Sequence, residues 1–376
     1  MLDCIIVGSG PAGGAAAYHL AKNGHSVLVL EKETLPRYKP CGGGVSPAVA
    51  QWFDFDFAPA ISTTVSKVNY TWTLSDPVEV KLTTEPMWMV RRDVFDGFLL
   101  EKAKEQGAQV QDGAAVSALE FKNGAWQVTT SQGNWAARYL IAADGVQGPC
   151  AELLGFKAPK TVLAAVLEVE APPTKPDAAQ FDFGSLKNGF IWNFPKTERF
   201  TISAGLMGTH KGKAKELQKQ LMNYASQIGV DVSQAEYYEH PLNLWSEKRA
   251  LHTQNALLAG DAAGVADPLL AEGIRPAIFT GVKAAEAIDR AIAGNADAIA
   301  QYTQTIADEW GQDMTLAQRL SGLFFKFPKI AYKVGVKRPA AAQVMSRILC
   351  GELRYGDVTE QAVKILKRSF LPGQGG

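Results

Sequence analysis

The chain opens with a short apolar run, Cys4-Ile5-Ile6-Val7. It breaks at Gly8-Ser9-Gly10-Pro11-Ala12-Gly13 and resumes as the helical stretch Ala15-Ala16-Ala17-Tyr18-His19-Leu20-Ala21. A buried strand, a tight glycine turn and a helix in that order constrain the fold more than any other segment. Glycines at 8, 10 and 13 permit the turn, let a pyrophosphate approach the backbone, and allow tight packing of helix on strand. Pro11 and Ala12 complete the turn, and the helix N-terminus offers N–H groups to an anion. A second apolar strand, Ser26-Val27-Leu28-Val29-Leu30, ends at Glu31. That is close to the spacing of about 20 residues at which a carboxylate accepts hydrogen bonds from a ribose. A glycine-rich turn alone needs no ligand; strand, helix and terminal acid together predict a dinucleotide.

At 376 residues the chain predicts two or three domains. Lys plus Arg equals Asp plus Glu at 38 each, so no global charge calls for nucleic acid or an acidic partner. Cys4, Cys41, Cys150 and Cys350 are scattered without a CxxC pair or a Cys/His cluster. That argues against a metal centre or a disulfide framework and suits a reduced, cytoplasmic chain. The first strand starts too early for a cleavable signal to be expected, and no run reaches the roughly 18 apolar residues of a spanning helix.

Period-two patterning around residues 65–72 predicts a β layer. Arg92 to Gly107 reads as a helix from the spacing of Phe95, Phe98, Leu99 and Ala103, with Gly107 as its stop. Tyr139–Ala143 reads as a buried strand, residues 160–250 as strand-rich with Pro172, Pro173 and Pro176 as breakers, and the chain beyond Arg275 as mostly helical. The expected fold is therefore α/β. A discontinuous Rossmann-like domain spans 1–60, 90–157 and 250–300, a β-rich substrate domain spans 61–89 and 158–249, and a C-terminal helical region spans 301–376.

The strand Asn255–Ala259 runs into Gly260-Asp261-Ala262-Ala263-Gly264. Asp261 is an ordinary helix-capping residue, and it is also well placed to hold a ribitol hydroxyl. Paired with the first glycine turn it points to a flavin. Gly273 and Ile274 then lead toward a helix expected over Ala277–Ile292, whose positive end would favour an anionic reduced ring.

Four segments carry a family resemblance. Pro36-Arg37-Tyr38-Lys39-Pro40-Cys41-Gly42-Gly43-Gly44 resembles the P-x-x-K-x-C-G-G-G signature of the geranylgeranyl reductase family. Gly189-Phe190-Ile191-Trp192-Asn193-Phe194-Pro195 is similar to its YxWxFP segment, Arg92-Asp93-Val94-Phe95-Asp96 to its RxxFD helix start, and residues 260–281 to its GD segment. The resemblance implies the p-hydroxybenzoate hydroxylase-like fold, FAD as cofactor, and reduction of C=C bonds in a prenyl chain by hydride from reduced flavin, with NADPH as electron donor. It implies a cofactor site adding Lys32, Lys39, Cys41, Gly42, Gly43, Gly44, Arg92, Ala115 and Val116 to Gly8, Gly10, Pro11, Ala12, Gly13, Glu31, Gly260, Asp261, Gly273 and Ile274. It also implies substrate contacts from Phe190, Trp192 and Phe194. Three roles are open to Cys41: a contact to the ring, a catalytic proton donor, or a small apolar filler. Three departures stand out. Ala271 replaces a glycine, Asp144–Cys150 lacks the DGxxSxxR pattern of the wider group, and Phe190 replaces an aromatic hydroxyl.

Met87, Trp88 and Met89 are further candidates for an apolar wall, although aromatics in a β layer more often fill a core. The five histidines form no cluster, which suits surface or structural roles. Residues 321–338 interleave aromatics with Lys326, Lys329, Lys333, Lys337 and Arg338 and contain no acid. That composition suits either contact with anionic headgroups or a solvated helical cap. Two rival functions share the fold or the cofactor: a flavin monooxygenase or halogenase acting on an aromatic substrate, and a non-redox isoprenoid carrier or cyclase.

Overall fold

A computed structural model describes residues 1–83, 85–207 and 213–358. Leu2–Val7, Val27–Leu30, the apolar end of Gly133–Ala142 and Ala256–Leu258 lie parallel in an eight-stranded sheet, with Gln109–Gln111 at one edge. Their continuous apolar runs suit burial on both faces. The register sets the site. Val7 pairs with Leu30 and with Ala142, and Ala142 pairs with Leu258, so Gly8, Glu31, Ala143 and Gly260 leave the sheet at one carboxyl edge. Ligands bind at that edge in open α/β sheets.

The helix Pro11–Lys22 packs between Arg92–Glu105 and Ile274–Ile292. Gly8 has φ +100°, and a Cβ on Gly13 would lie 1.9 Å from the Gly8 carbonyl oxygen. The turn therefore closes only with glycine at both positions.

A seven-stranded sheet runs in the order Ala235–Glu239, Ala164–Val169, Phe200–Leu206, Gly189–Pro195, Ala178–Phe183, Lys67–Trp72, Ser75–Lys81. Its outer face, with Leu167, Ile191 and Ile202, packs under the helix Ala214–Gln227. On the inner face Val166, Ser203, Trp192, Phe181 and Tyr70 stand in one cross-strand row. Phe324 and Phe325, on the helix Gln312–Lys326, pack against Phe183 and Phe190 of this sheet.

Three expectations shift. The period-two stretch at 65–72 is two strands, because Ser66 and Lys67 both donate to the Asp177 carbonyl and turn the chain from a three-stranded sheet into the seven-stranded one. The strand expected at 139–143 begins at Gly133. Its polar half pairs antiparallel with Ala125–Thr130 and lacks the apolar signal of a buried strand. The long helix starts at Ile274, not Ala277, because Pro276 falls in its first turn, where a missing N–H costs nothing. The helix of Arg92 ends at Glu105, with Gly107 at φ +103° just beyond it.

Candidate cofactor and substrate site

A trench follows the carboxyl edge in two lobes that share Gly10, Lys39, Ala143, Gly145 and His240. The first, about 1320 Å³ and open to solvent, is lined by Gly8, Glu31, Lys32, Arg37, Ala115 and Val116. The second, about 1090 Å³, is lined by Gly10, Pro11, Ala12, Cys41, Gly42, Gly43, Gly44, Arg92, Gly260, Asp261, Gly273 and Ile274. Across that lobe stand Met87, Phe181, Trp192 and Phe194. Of the cofactor residues expected from sequence, only Gly13 is absent from both linings; it lies beneath, against Gly8.

Glu31 is buried at its strand end. Its Oε2 accepts from the Ser9 backbone N–H at 3.0 Å and the Ser9 hydroxyl at 2.6 Å, and Arg37 Nε donates to it at 3.2 Å. Burial opposes its charge, yet Arg37 and the Ser9 bonds outweigh it and hold the carboxyl below its usual range. Arg37 and Arg92 converge on Gly10, each guanidinium reaching within 4 Å of where a Cβ would stand. Arg92 forks onto Asp96 at 2.7 and 2.8 Å and reaches the Cys41 sulfur, while Arg37 Nη2 lies 3.3 Å from Asp96. Arg37 Nη1 is buried with no hydrogen-bond partner. A buried guanidinium with a donor to spare beside a glycine turn is a binding group for a phosphate.

Lys39 lies where the lobes meet, 3.9 Å from Asp261, with its ammonium held low by burial and by nearby Arg92. His240 shares that position, and burial together with Lys39 and Arg92 pushes it down to about 3, so it is neutral. His25 pairs with Asp289, His252 with Thr303, and His19 packs on Phe53; His210 lies outside the described residues.

The Gly43 N–H donates to Cys41 Sγ at 3.3 Å. A Cβ on Gly42 would meet Trp192 Nε1 at 2.6 Å, so the loop lies directly on the tryptophan. Phe190 differs from expectation. It shares the sheet face with Trp192 and Phe194 but is covered by Phe325 at 6.3 Å and Trp192 at 5.1 Å, and it does not line the cavity. Met87 lines it, Met89 is fully buried, and Trp88 turns the other way onto Phe57.

Sequence reasoning missed Lys196 and Glu168. Lys196 Nζ donates to the Gly42 carbonyl at 3.2 Å and to Thr201 Oγ1, and Thr201 Oγ1 donates to Glu168 Oε2 at 2.9 Å. Tyr38 donates to Glu168 Oε1 at 3.0 Å. A lysine following the aromatic strand, and an acid inside Ala164–Val169, were the available signals. Asp144, in the segment that departs from the wider group, accepts from the Cys150 N–H at 2.8 Å and keeps Oδ1 buried without a partner.

Ala271 has φ +58°, the left-handed region that favours glycine. Ala271→Gly is expected to raise stability by about 1 kcal/mol by relieving that strain. A lower urea midpoint for the variant would refute this.

The chain matches the FAD binding domain family over residues 1–308. It belongs to that family. A relative, the digeranylgeranylglycerophospholipid reductase of Methanocaldococcus jannaschii, is 27% identical over 304 residues, covering 77% of each chain. Among solved structures, a geranylgeranyl bacteriochlorophyll reductase-like protein of Thermoplasma acidophilum superposes with TM-score 0.74 at 21% identity, covering 86% of this chain and 87% of that one. The flavin-dependent brominase Bmp2 superposes with TM-score 0.72 at 18% identity, covering 98% and 99%. These structural likenesses establish the p-hydroxybenzoate hydroxylase-like flavoprotein fold, and the resemblance to geranylgeranyl reductases holds. The trench suits FAD: its glycine turn, the acid at the second strand end and the spare Arg37 donor match a dinucleotide's ribose and pyrophosphate.

Proposed function

We propose that this FAD-dependent oxidoreductase reduces C=C bonds of a geranylgeranyl-type prenyl chain, with NADPH as the electron donor. The observation that carries this reading is the apolar lobe, which opens directly from the flavin cradle and is walled by Met87, Phe181, Trp192, Phe194, Leu242 and Leu349. An isolated alkene offers no hydrogen-bonding handle, so apolar contact must hold it and positioning must supply most of the rate. FAD supplies the hydride chemistry. Gly8, Gly10, Glu31, Arg37 and Arg92 hold the dinucleotide, Asp261 holds a ribitol hydroxyl, and Cys41–Gly44 and the Gly273–Ile274 helix start hold the ring. Residues 1–60, 90–157 and 250–300 serve the cofactor, 61–89 and 158–249 shape the substrate cavity, and the described part of the C-terminal region, 301–358, covers it; 359–376 lie outside the described residues. No second dinucleotide turn is present in the sequence, so either NADPH docks transiently against the flavin or another reductant serves.

The test is anaerobic incubation of the reduced protein with a geranylgeranyl compound, followed by mass spectrometry. Products heavier by pairs of hydrogens are expected. Unchanged mass would point to a carrier or cyclase; in a separate aerobic assay with an aromatic substrate, NADPH-linked oxygen consumption with an oxygenated or halogenated product would point to the rival monooxygenase or halogenase chemistry.

The same reading places a cytoplasmic chain on a membrane surface, where prenyl lipids reside. Leu320, Leu323, Phe327, Ile330 and Val334 recur every three or four residues along the helices of 312–336, with exposures between 43% and 63%. They are flanked by Lys326, Lys329, Lys333 and Lys337. This stripe beside cations matches an interface with anionic headgroups. Among the described residues no helix is long and apolar enough to cross a membrane. A Leu323→Gln/Phe327→Gln/Ile330→Gln variant is expected to lose at least about tenfold in flotation with anionic vesicles while retaining FAD. Equal flotation of variant and parent would rule out this surface.

A further inference from the structure

Glu272 stands immediately before Gly273 and lines the apolar lobe, yet only 7% of its side chain is exposed. Its Oε2 is ion-paired with Arg275 Nη2 at 2.9 Å, whereas Oε1 has no partner, and Arg275 Nε has none either. Arg275 is held from its other side by the Trp310 ring, 5.4 Å away. The other titratable groups facing this carboxyl are Asp267, Tyr355 and Cys350. Asp267 is engaged: Oδ1 accepts from Leu269 and Leu270 N–H groups at 2.7 and 2.9 Å, and Oδ2 accepts from the Tyr355 hydroxyl at 2.8 Å. A buried ion pair that serves the fold alone satisfies its remaining lone pairs. Glu272 instead keeps Oε1 without a partner in the wall of a cavity, while Oε2 is held by the Arg275 ion pair.

We infer that Glu272 is the proton donor of the apolar lobe, protonating the alkene carbon next to the one that takes the hydride. This role rests on the prenyl-reductase reading. The balance is complete. The alkene π bond and the Glu272 O–H bond break, two C–H bonds form, the reduced flavin loses a hydride, and Glu272 is left as a carboxylate beside Arg275 until water returns its proton. Burial pushes the carboxyl up, offset in part by Arg275 and reinforced by the charge of Asp267, to about 7. A donor near the working pH is protonated often enough to act and acidic enough to give its proton up.

Glu272→Gln keeps the shape and removes the proton. Infrared difference spectra between pH 5 and pH 9, with no substrate present, are expected to show a protonated-carboxyl band titrating near pH 7 in the parent and missing in E272Q. In anaerobic single turnover with a geranylgeranyl compound, the parent rate should fall as pH rises through about 7. E272Q should be slower by about 100-fold or more with FAD affinity unchanged. Glu272→Asp should recover part of the rate with a displaced pH midpoint, and it carries the comparison if E272Q does not retain FAD. A parent that leaves the alkene intact would overturn both the prenyl reading and this role. A parent that reduces it, with E272Q equal in rate and pH profile, would overturn the role alone.

Discussion

Gly13→Val is expected to yield a folded but colourless protein that binds FAD at least about 100-fold more weakly than the parent. The first atom of any side chain at 13 would stand 1.9 Å from the Gly8 carbonyl oxygen, and a third contact, to Ile6 Cγ2, is already at 3.4 Å. Nothing flexible is available to move, because the obstacle is backbone. The strand end or the helix start must shift, and the shift carries Gly8, Gly10 and the free N–H groups of the helix away from the pyrophosphate. Flavin fluorescence quenching measures the affinity, and circular dichroism confirms the fold. Tight FAD binding by the variant would mean that the cofactor lies elsewhere.

Lys196→Met should destabilise the protein by about 1–3 kcal/mol, the cost of leaving buried polar groups without their donor. Lys196 is 4% exposed and Glu168 7%, and Thr201 bridges them. Without the ammonium, the buried Glu168 carboxylate loses the nearby positive charge behind Thr201, and the Gly42 carbonyl loses its donor. The double variant Lys196→Met/Glu168→Gln should recover much of the loss, because it removes the stranded charge. Urea midpoints of the four proteins in this cycle test the coupling. The Cys41 thiol should also react faster with iodoacetamide once the loop loosens. Additive losses from the two substitutions would contradict a coupled pair.

The cofactor edge was legible because its signals are local. An apolar strand, a glycine turn and a helix are contiguous in residues 4–21, and the Cys41–Gly44 and Gly260–Asp261 segments each carry their own pattern. What was not legible depends on register and on contacts made by distant chain. Glu168 meets Lys196 only because Ala164–Val169 and Gly189–Pro195 both flank Phe200–Leu206. Phe190, Trp192 and Phe194 share a face by strand alternation, but which of them meets the cavity is decided by Phe325, more than a hundred residues later. The same alternation separates Met87 from Trp88, whose neighbour is Phe57. Ala271 was visible as a departure from the family glycine, while its left-handed backbone was not. Arg37 lies within the signature segment, but its role as the guanidinium with a free donor depends on the positions of Glu31, Asp96 and Gly10.

Equilibrium titration of the purified chain with FAD tests the convergence of these segments most directly. One equivalent should bind with its fluorescence quenched, and Arg37→Met should weaken it by about tenfold or more through loss of a charge-assisted contact. A colourless protein that takes up no FAD would contradict a flavin site at the carboxyl edge of the sheet.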